Sequence, residues 1–373
     1  MYVTAKNIKK DGIDLSNISY VTEEVHREIY NRCNPEKGDI LYIKDGATCG
    51  ISTINNLDVE FSLLSSVALI KPNKNILNAY LNLFLQSEFC YRNVRDSMKG
   101  VGITRIILKQ MELWNIPLPP FEEQRRIVSL AELLLHATEG IEKEQEELGK
   151  KIKQTKERIL DLAIRGKLVP QDPSDVPAIE LLKGINPVFK ASDNLHYEGE
   201  LPNGWCFSTI GDLFQHNTGK ALNGRDHIRE ELRYITTSNL YWDRFDLTEV
   251  RTMAFTEAEK EKCRATKGDL LVCEGGDIGR SAIWPYDYDV MIQNHIHRLR
   301  PKGNISVRFY YYIFLLYKQM GLIGGKGIAI LGLSSRELDK MVVPVPPVPE
   351  QHRIVKVIEN LFAQMDALAS NLS

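Results

Sequence analysis

The 373-residue chain has no apolar run approaching eighteen residues, and its opening, MYVTAKNIKKDG, holds no apolar signal core. Neither a membrane span nor a secretory leader is therefore expected. Six cysteines, at 33, 49, 90, 206, 263 and 273, show no Cys-x-x-Cys spacing and no dense framework. That pattern argues against a disulfide scaffold or a zinc site and for reduced thiols in a cytoplasmic chain. Neither sign of charge dominates: the net charge is −2 and the pI near 6.5, so a site for a polyanion must be a local patch. Low-complexity tracts and long charge blocks are also missing.

Catalytic motifs are equally scarce. Gly321-Leu-Ile-Gly-Gly-Lys326 is one residue short of a phosphate loop and is followed by Gly327 instead of Ser or Thr. No Asn-Pro-Pro-Tyr or Asp-Pro-Pro-Tyr tetrapeptide is present to cradle an amino group for methylation. A magnesium nuclease of the Asp…Glu-x-Lys type fails on both candidates: Asp269 is followed by Cys273-Glu-Gly-Gly276, which lacks the lysine, and Asp39 by Lys44 with Tyr42 two residues before it. His295 and His297 share a strand face, but no carboxylate or cysteine stands at matching spacing, so they read as core or surface histidines. By itself the chain reads as non-catalytic.

What it does contain is a long helical stretch. Prolines at 117, 119 and 120 stop the preceding chain, and residues 121 to 166 then pass without proline. Ile127, Leu134, Ile141, Leu148 and Leu162 recur at sevenfold spacing, beside Ala131, Ile152 and Ile159. Such a stripe predicts a partner helix, and at about 1.5 Å per residue a spacer of roughly 60 Å. The partner lies in a repeat: residues 99–136 align without a gap on 326–363. Pro117, Pro119, Pro120, Glu123, Gln124, Arg126, Ile127 and Val128 return as Pro344, Pro346, Pro347, Glu350, Gln351, Arg353, Ile354 and Val355. The second copy has its own seam in Ile354, Leu361 and Leu368, beside Ile358, Met365 and Leu372.

The repeat extends upstream. Tyr2 to Ile8 answers Tyr234 to Leu240, and Lys37-Gly-Asp-Ile-Leu41 answers Lys267-Gly-Asp-Leu-Leu271. Short β-prone runs lie between Gly, Asp and Asn turns, with one buried strand expected over 61–71 and a helix over Leu77 to Met98. Val307 to Gln319 is helical in character, and Pro173 to Gly204 is a polar connector. The predicted class is α+β: two repeated mixed α/β domains separated by two long antiparallel coiled-coil helices. The expected boundaries are a first domain over 1–120, a spacer helix over 121–166, connector and second domain over 167–347, and a second, short helix over 348–373.

The paired PLPPFEEQRRIV and PVPPVPEQHRIV elements, ILDLAIRGKLVPQDPSDVPAIELL after the first long helix, and LPNGWCFSTIGDLF opening a module together resemble the specificity subunit of type I restriction-modification systems. The resemblance covers nearly the whole chain. It implies two target-recognition domains, each reading half of a bipartite double-stranded DNA sequence, held apart by helices that also dock two modification (methyltransferase) subunits. It further implies restriction/translocase subunits in the complex, with S-adenosylmethionine, ATP and magnesium belonging to those partners and no cofactor or metal on this chain. The expected location is the cytoplasm of a prokaryote.

Base edges are read by loops, while other cations meet phosphate and fix register. The candidates are Lys6, Asn7, Lys44, Lys99 and Arg105 in the first module, and Lys220, Asn223, Arg225, Ser238, Asn239, Arg280, Asn294 and Lys326 in the second. Asn7 and Asn239 hold the same repeat position; asparagine pairs bidentately with adenine, but in a turn it also bonds its own backbone. For the helix seam and subunit interface the candidates are Ile127, Leu134, Ile141, Leu148, Ile152, Ile159, Ile354, Leu361 and Met365. The chain departs from the family pattern in two places. The first module opens at the counterpart of Tyr234, and the second helix ends 22 residues after Gln351 where the first runs about 42 beyond Gln124. These departures suggest a trimmed chain, a truncated gene or a chain completed by another polypeptide. Two alternative readings stay open: a specificity subunit of a type II methyltransferase-nuclease, and a truncated scaffold or silent-cassette form that no longer reads one half-site.

Overall fold

The structure of the chain, a computed structural model, describes residues 1–96, 105–191, 201–221, 231–323 and 333–371, with side chains to residue 92 in the first segment. It divides into two compact units, Met1–Glu144 and Gln145–Ser373, each mixing helices with short strands.

In the first unit the central strand Ile40–Ile43 is buried at all four positions. Alternation across the pleat sends Ile40 and Tyr42 into one cluster with Leu81, Leu85 and Cys90, and Leu41 and Ile43 into another with Val3, Phe61 and Val67. A strand covered on both faces must be apolar throughout, which is why ILYI shows no polar alternation. Ser52–Ile54 and Val67–Ile70 flank it, both antiparallel. The single strand expected over 61–71 is two strands in different sheets: Ser62–Leu63 pairs in parallel with Tyr2–Val3, and a turn closed by Val67 N–H on Leu64 O (2.9 Å) precedes Val67–Ile70. The helix expected over 77–98 is also divided, into Asn78–Gln86 and Glu88–Asp96. Ser87 has an extended backbone; its hydroxyl donates to Phe84 O (2.6 Å) and accepts from Cys90 N–H (3.2 Å), ending one helix and starting the next.

The second unit repeats the scheme. Leu270–Cys273 is fully buried, with Leu270 and Val272 in one cluster and Leu271 and Cys273 in another. It lies between Ser281–Ile283 and Ile296–Pro301 in a four-stranded antiparallel sheet that ends with Phe214–Thr218. A second four-stranded sheet runs in the order Arg251–Ala254, Glu231–Ile235, Val290–Ile292, Arg264–Ala265. The aromatic helix Val307–Gln319 occupies the predicted span and fills the larger cluster with Phe309, Tyr310, Ile313 and Phe314.

One glutamine performs the same task in each unit. The carboxamide of Gln124 accepts from the N–H of Leu77, at the start of Asn78–Gln86 (2.8 Å), and donates to Pro119 O (3.0 Å). Gln351 accepts from the N–H of Ser306, at the start of Val307–Gln319 (2.8 Å), and donates to Pro346 O (2.9 Å). Neither module helix has a side-chain cap of its own, so the glutamine satisfies a helix-start donor from the neighbouring element.

The long helices are Phe121–Ile164, of 44 residues, and Val348–Ser370, of 23. Within the second unit they run antiparallel: Lys156 pairs with Asp366, while further along the chain Gln171 reaches Glu350 (3.1 Å) and Asp175 reaches Arg353 (2.6 Å). The seam consists of Ile159, Leu160, Ala163 and Ile164 with Ile354, Val355 and Ile358, and of Leu361 and Met365 packed half-buried against them. Ile152 is half-buried as well. Here the expectation needs correction. Ile127, Leu134, Ile141 and Leu148 continue the sevenfold line but are exposed, Leu134 at 57% and Ile141 at 56%. With Asp366 opposite Lys156, only the last few residues of the 23-residue helix remain to cover anything earlier in the 44-residue one.

Candidate nucleic-acid interface

Asn7 and Asn239 show how the modules hold their first loop. Asn7 Oδ1 accepts from the N–H of Thr4 (3.0 Å) and its Nδ2 donates to Asp14 O (2.9 Å) and Asn17 O (3.4 Å). Asn239 Oδ1 accepts from the N–H of Thr236 (2.9 Å) and its Nδ2 donates to Asp246 O and Glu249 O, both at 2.9 Å. Both side chains are buried with their donors and acceptors engaged, leaving no free edge for adenine. This corrects the reading of either as a base reader; they are loop ties.

A second loop is framed in the same way. Ile43 N–H donates to Ile51 O and Gly50 N–H to Ile43 O, while Lys44 N–H donates to Ser66 O, each at 2.9 Å. In the second unit Cys273 N–H donates to Arg280 O (2.8 Å), Gly279 N–H to Cys273 O (2.9 Å) and Glu274 N–H to His295 O (2.9 Å). Matching the two frames bond for bond sets Lys6 against Ser238, Lys44 against Glu274, Ile51 against Arg280 and Ser66 against His295. The backbone ties coincide while the side chains at these positions differ.

In the second unit these loops adjoin. Arg280 Nη2 donates to Thr237 O (2.6 Å) and its guanidinium lies over Tyr241, 5.2 Å from the ring centre. Exposed Arg244 lies 4.3 Å from the same ring, and exposed Ser238 bonds the Thr236 hydroxyl at 2.7 Å. Half-buried Asn294 and exposed His295 sit on the next loop, where the backbone N–H of Asn294 donates to Lys220 O (2.9 Å). That loop closes against Gly219, where a Cβ would run into the carbonyls of Ile292 and Gln293. Arg244 escaped the sequence reading because its repeat counterpart is Gly12; the hairpin that pairs Tyr241 with Arg244 is the signal that would have found it.

Two of the candidate lysines turn inward. Lys220 Nζ donates to Ala254 O (2.7 Å) and Glu259 (2.8 Å) beneath the Phe255 ring. Its hydrogen bond is the main reason the Glu259 carboxyl is pulled down to about 2. Lys44 is buried with its Nζ on Asp45 (3.3 Å). A buried ammonium neutralised in this way is unavailable to phosphate, which corrects both. Lys6 is exposed on the first loop, and exposed Arg105 flanks the loop of Lys44 with its Nε 3.3 Å from Asp45. Lys99, Asn223, Arg225 and Lys326 lie outside the described residues.

His295 and His297 do not converge. His295 is exposed 3.8 Å from Glu274, whereas His297 is fully buried between His216 (2.9 Å) and Leu333 O (2.6 Å). Burial and the neighbouring His216 ring push His297 down to about 4. Among the described residues no helix is long and apolar enough to cross a membrane.

Comparison with known proteins gives a consistent result. A family model described as the type I restriction modification DNA specificity domain matches residues 2–150 and again 202–372. The type I restriction enzyme EcoBI specificity subunit of Escherichia coli is 26% identical over 290 residues, which cover 75% of this chain and 58% of that protein. The EcoKI specificity subunit of E. coli strain K12 is 23% identical over 390 residues, 100% of this chain and 77% of that protein. Among solved structures, the HsdS subunit from Thermoanaerobacter tengcongensis superposes with a TM-score of 0.62 at 16% identity, covering 100% of this chain and 85% of that one. A chain from a study of assembly and conformational transition in the type I R-M system gives 0.66 at 18%, with the same coverages. These superpositions extend the likeness of fold over the whole chain, and with the family model matched once in each half, the chain belongs to the type I restriction-modification DNA specificity family.

Proposed function

We propose that the chain is the DNA sequence-recognition subunit of a type I restriction-modification complex, reading one half of a bipartite target with each of two recognition domains, over 1–120 and 167–347. The observation that carries this is the pair of coincident hydrogen-bond frames with divergent side chains at their loop tips, as expected of two readers built alike and aimed at different sequences. In the first unit Lys6 and Arg105 face DNA, and in the second Ser238, Arg244, Arg280 and Asn294. The arginines suit guanine edges or phosphate, and Lys6 suits phosphate. Two modification subunits dock along the long helices, where the exposed line Ile127, Leu134, Ile141 and Leu148 offers apolar surface. Restriction subunits complete the complex, and S-adenosylmethionine, ATP and magnesium act on those partners. The test is to express the chain with its modification subunit in a methylation-free host and map adenine methylation by single-molecule sequencing. A two-part motif with a fixed gap is the expected result; methylation without a motif contradicts sequence reading.

A further inference from the structure

The proline elements recur in sequence but not in surroundings. In the second unit Val342–Val345 pairs antiparallel with Cys206–Thr209, placing Val345 opposite Cys206 and Val342 opposite Thr209. Val343, Val345 and Glu350 are buried, Gly204 packs against Pro347, and the Trp205 indole N–H donates to Glu350 at 2.9 Å. The equivalent stretch of the first unit is residues 115–123, where Ile116, the counterpart of Val343, is half-buried but most of the other positions are open. Leu118, the counterpart of Val345, is 56% exposed, and Glu123, the counterpart of Glu350, is exposed, as are Pro117 and Pro120. Among the described residues no strand pairs with 115–118. A groove of about 420 Å³, lined by Lys74, Asn75, Leu118, Pro119, Pro120 and Phe121, includes Pro120, the counterpart of the Pro347 that Gly204 packs against in the second unit.

We propose that residues 115–123 form a strand-acceptor site for an extended polypeptide segment of Gly-Trp character, with the chemistry of 204–209. The segment pairs antiparallel with 115–118, seats its glycine against Pro120 in the proline groove and donates its indole N–H to Glu123. Three features argue for this occupant. An apolar strand edge is a template for another strand. Glu123 is an acceptor at the indole's place, and Gly204-Trp205 is the one Gly-Trp pair in residues 1–373, already engaged in the second unit. The occupant is therefore a further segment of the same type, and the site is distinct from the loops proposed to read DNA.

The test uses the 373-residue chain and a labelled synthetic peptide of the sequence LPNGWCFSTIGDL. Saturable binding is expected, with hydrogen exchange slowed about tenfold or more at the amides of Ile116 and Leu118. A peptide with Trp replaced by Ala, or the chain variant Leu118→Arg, weakens binding at least about tenfold. Leu118 is mostly exposed, so the variant folds, as unchanged exchange in the Ile40–Ile43 strand will verify. Absence of binding, protection confined to 342–345, or binding indifferent to Leu118→Arg overturns the proposal. Protection of 115–118 that rises with chain concentration alone assigns the edge to a second copy and overturns the proposed occupant.

Discussion

The indole Nε1–H of Trp205 donates to the Glu350 carboxylate across 2.9 Å, joining the chain just before the strand Cys206–Thr209 to the first turn of the helix Val348–Ser370. Glu350 also accepts from Gln171, and burial raises its carboxyl above the ordinary range despite both bonds. Glu350→Ala leaves a buried indole N–H without an acceptor, and a loss of about 1–3 kcal/mol is expected in the second unit. The exposed counterpart supplies the control: Glu123→Ala should stay within about 0.5 kcal/mol. Urea unfolding followed by unit-resolved hydrogen exchange measures both.

A dependence on pH follows from His297. Its Nε2–H donates to the Leu333 carbonyl, so the neutral ring accepts from His216 through Nδ1, and His216 in turn contacts Asp339 at 2.7 Å. The unfolded chain binds a proton at this residue near 6.5, the folded one only near 4. The contribution is therefore complete above about pH 6.5 and is lost as pH falls toward 4, with a slope approaching ~1.4 kcal/mol per pH unit. The second unit's urea midpoint should fall between pH 7.5 and 5, and His297→Gln should flatten that fall.

The two glutamines give paired, unit-specific effects. Gln351→Ala strands the buried N–H of Ser306, and Gln124→Ala strands that of Leu77. Each should destabilise its own unit by about 1–3 kcal/mol. Hydrogen exchange should quicken at the start of Val307–Gln319 in the first variant and of Asn78–Gln86 in the second. A uniform effect on both helices would contradict the assignment.

The exposed line on the long helix separates docking from folding. Leu134→Asp with Ile141→Asp removes apolar surface that covers no core, so the urea midpoint should be unchanged within about 0.5 kcal/mol. Co-purification of the modification subunit should be lost. In contrast Ile354→Asp, at a fully buried seam position, should unfold the second unit.

The loop ties and loop tips are separable in the same spirit. Asn239→Ala removes four hydrogen bonds and should lower stability by about 2 kcal/mol or more. Ser238→Lys, at the exposed neighbouring position, should leave stability unchanged and alter DNA recognition at only one half-site, read from the methylation motif.

The repeat was legible because its ties are chemical identities: Asn7 and Asn239, Gln124 and Gln351, and the prolines keep residue type wherever a specific donor or acceptor is needed. Which lysine faces outward was not, because Lys220 is turned in by Glu259, 39 residues away. The break at Ser87 depends on one hydroxyl inside an otherwise helical run. The sevenfold spacing announced a partner, but how much of the stripe is covered follows from the unequal helix lengths and the register that sets Lys156 against Asp366.

The coincident loop ties also bear on how such a chain changes over generations. Because Asn7 and Asn239 fasten their loops from beneath through backbone groups, the residue at the tip carries little of the fold: Ser238 adds one exposed hydroxyl contact, to Thr236. If these tips meet DNA as proposed, a substitution at Lys6 or Ser238 is visible to selection through the sequence it meets and far less through stability. The two halves can drift to new preferences independently, each keeping its fold while its preference is rewritten.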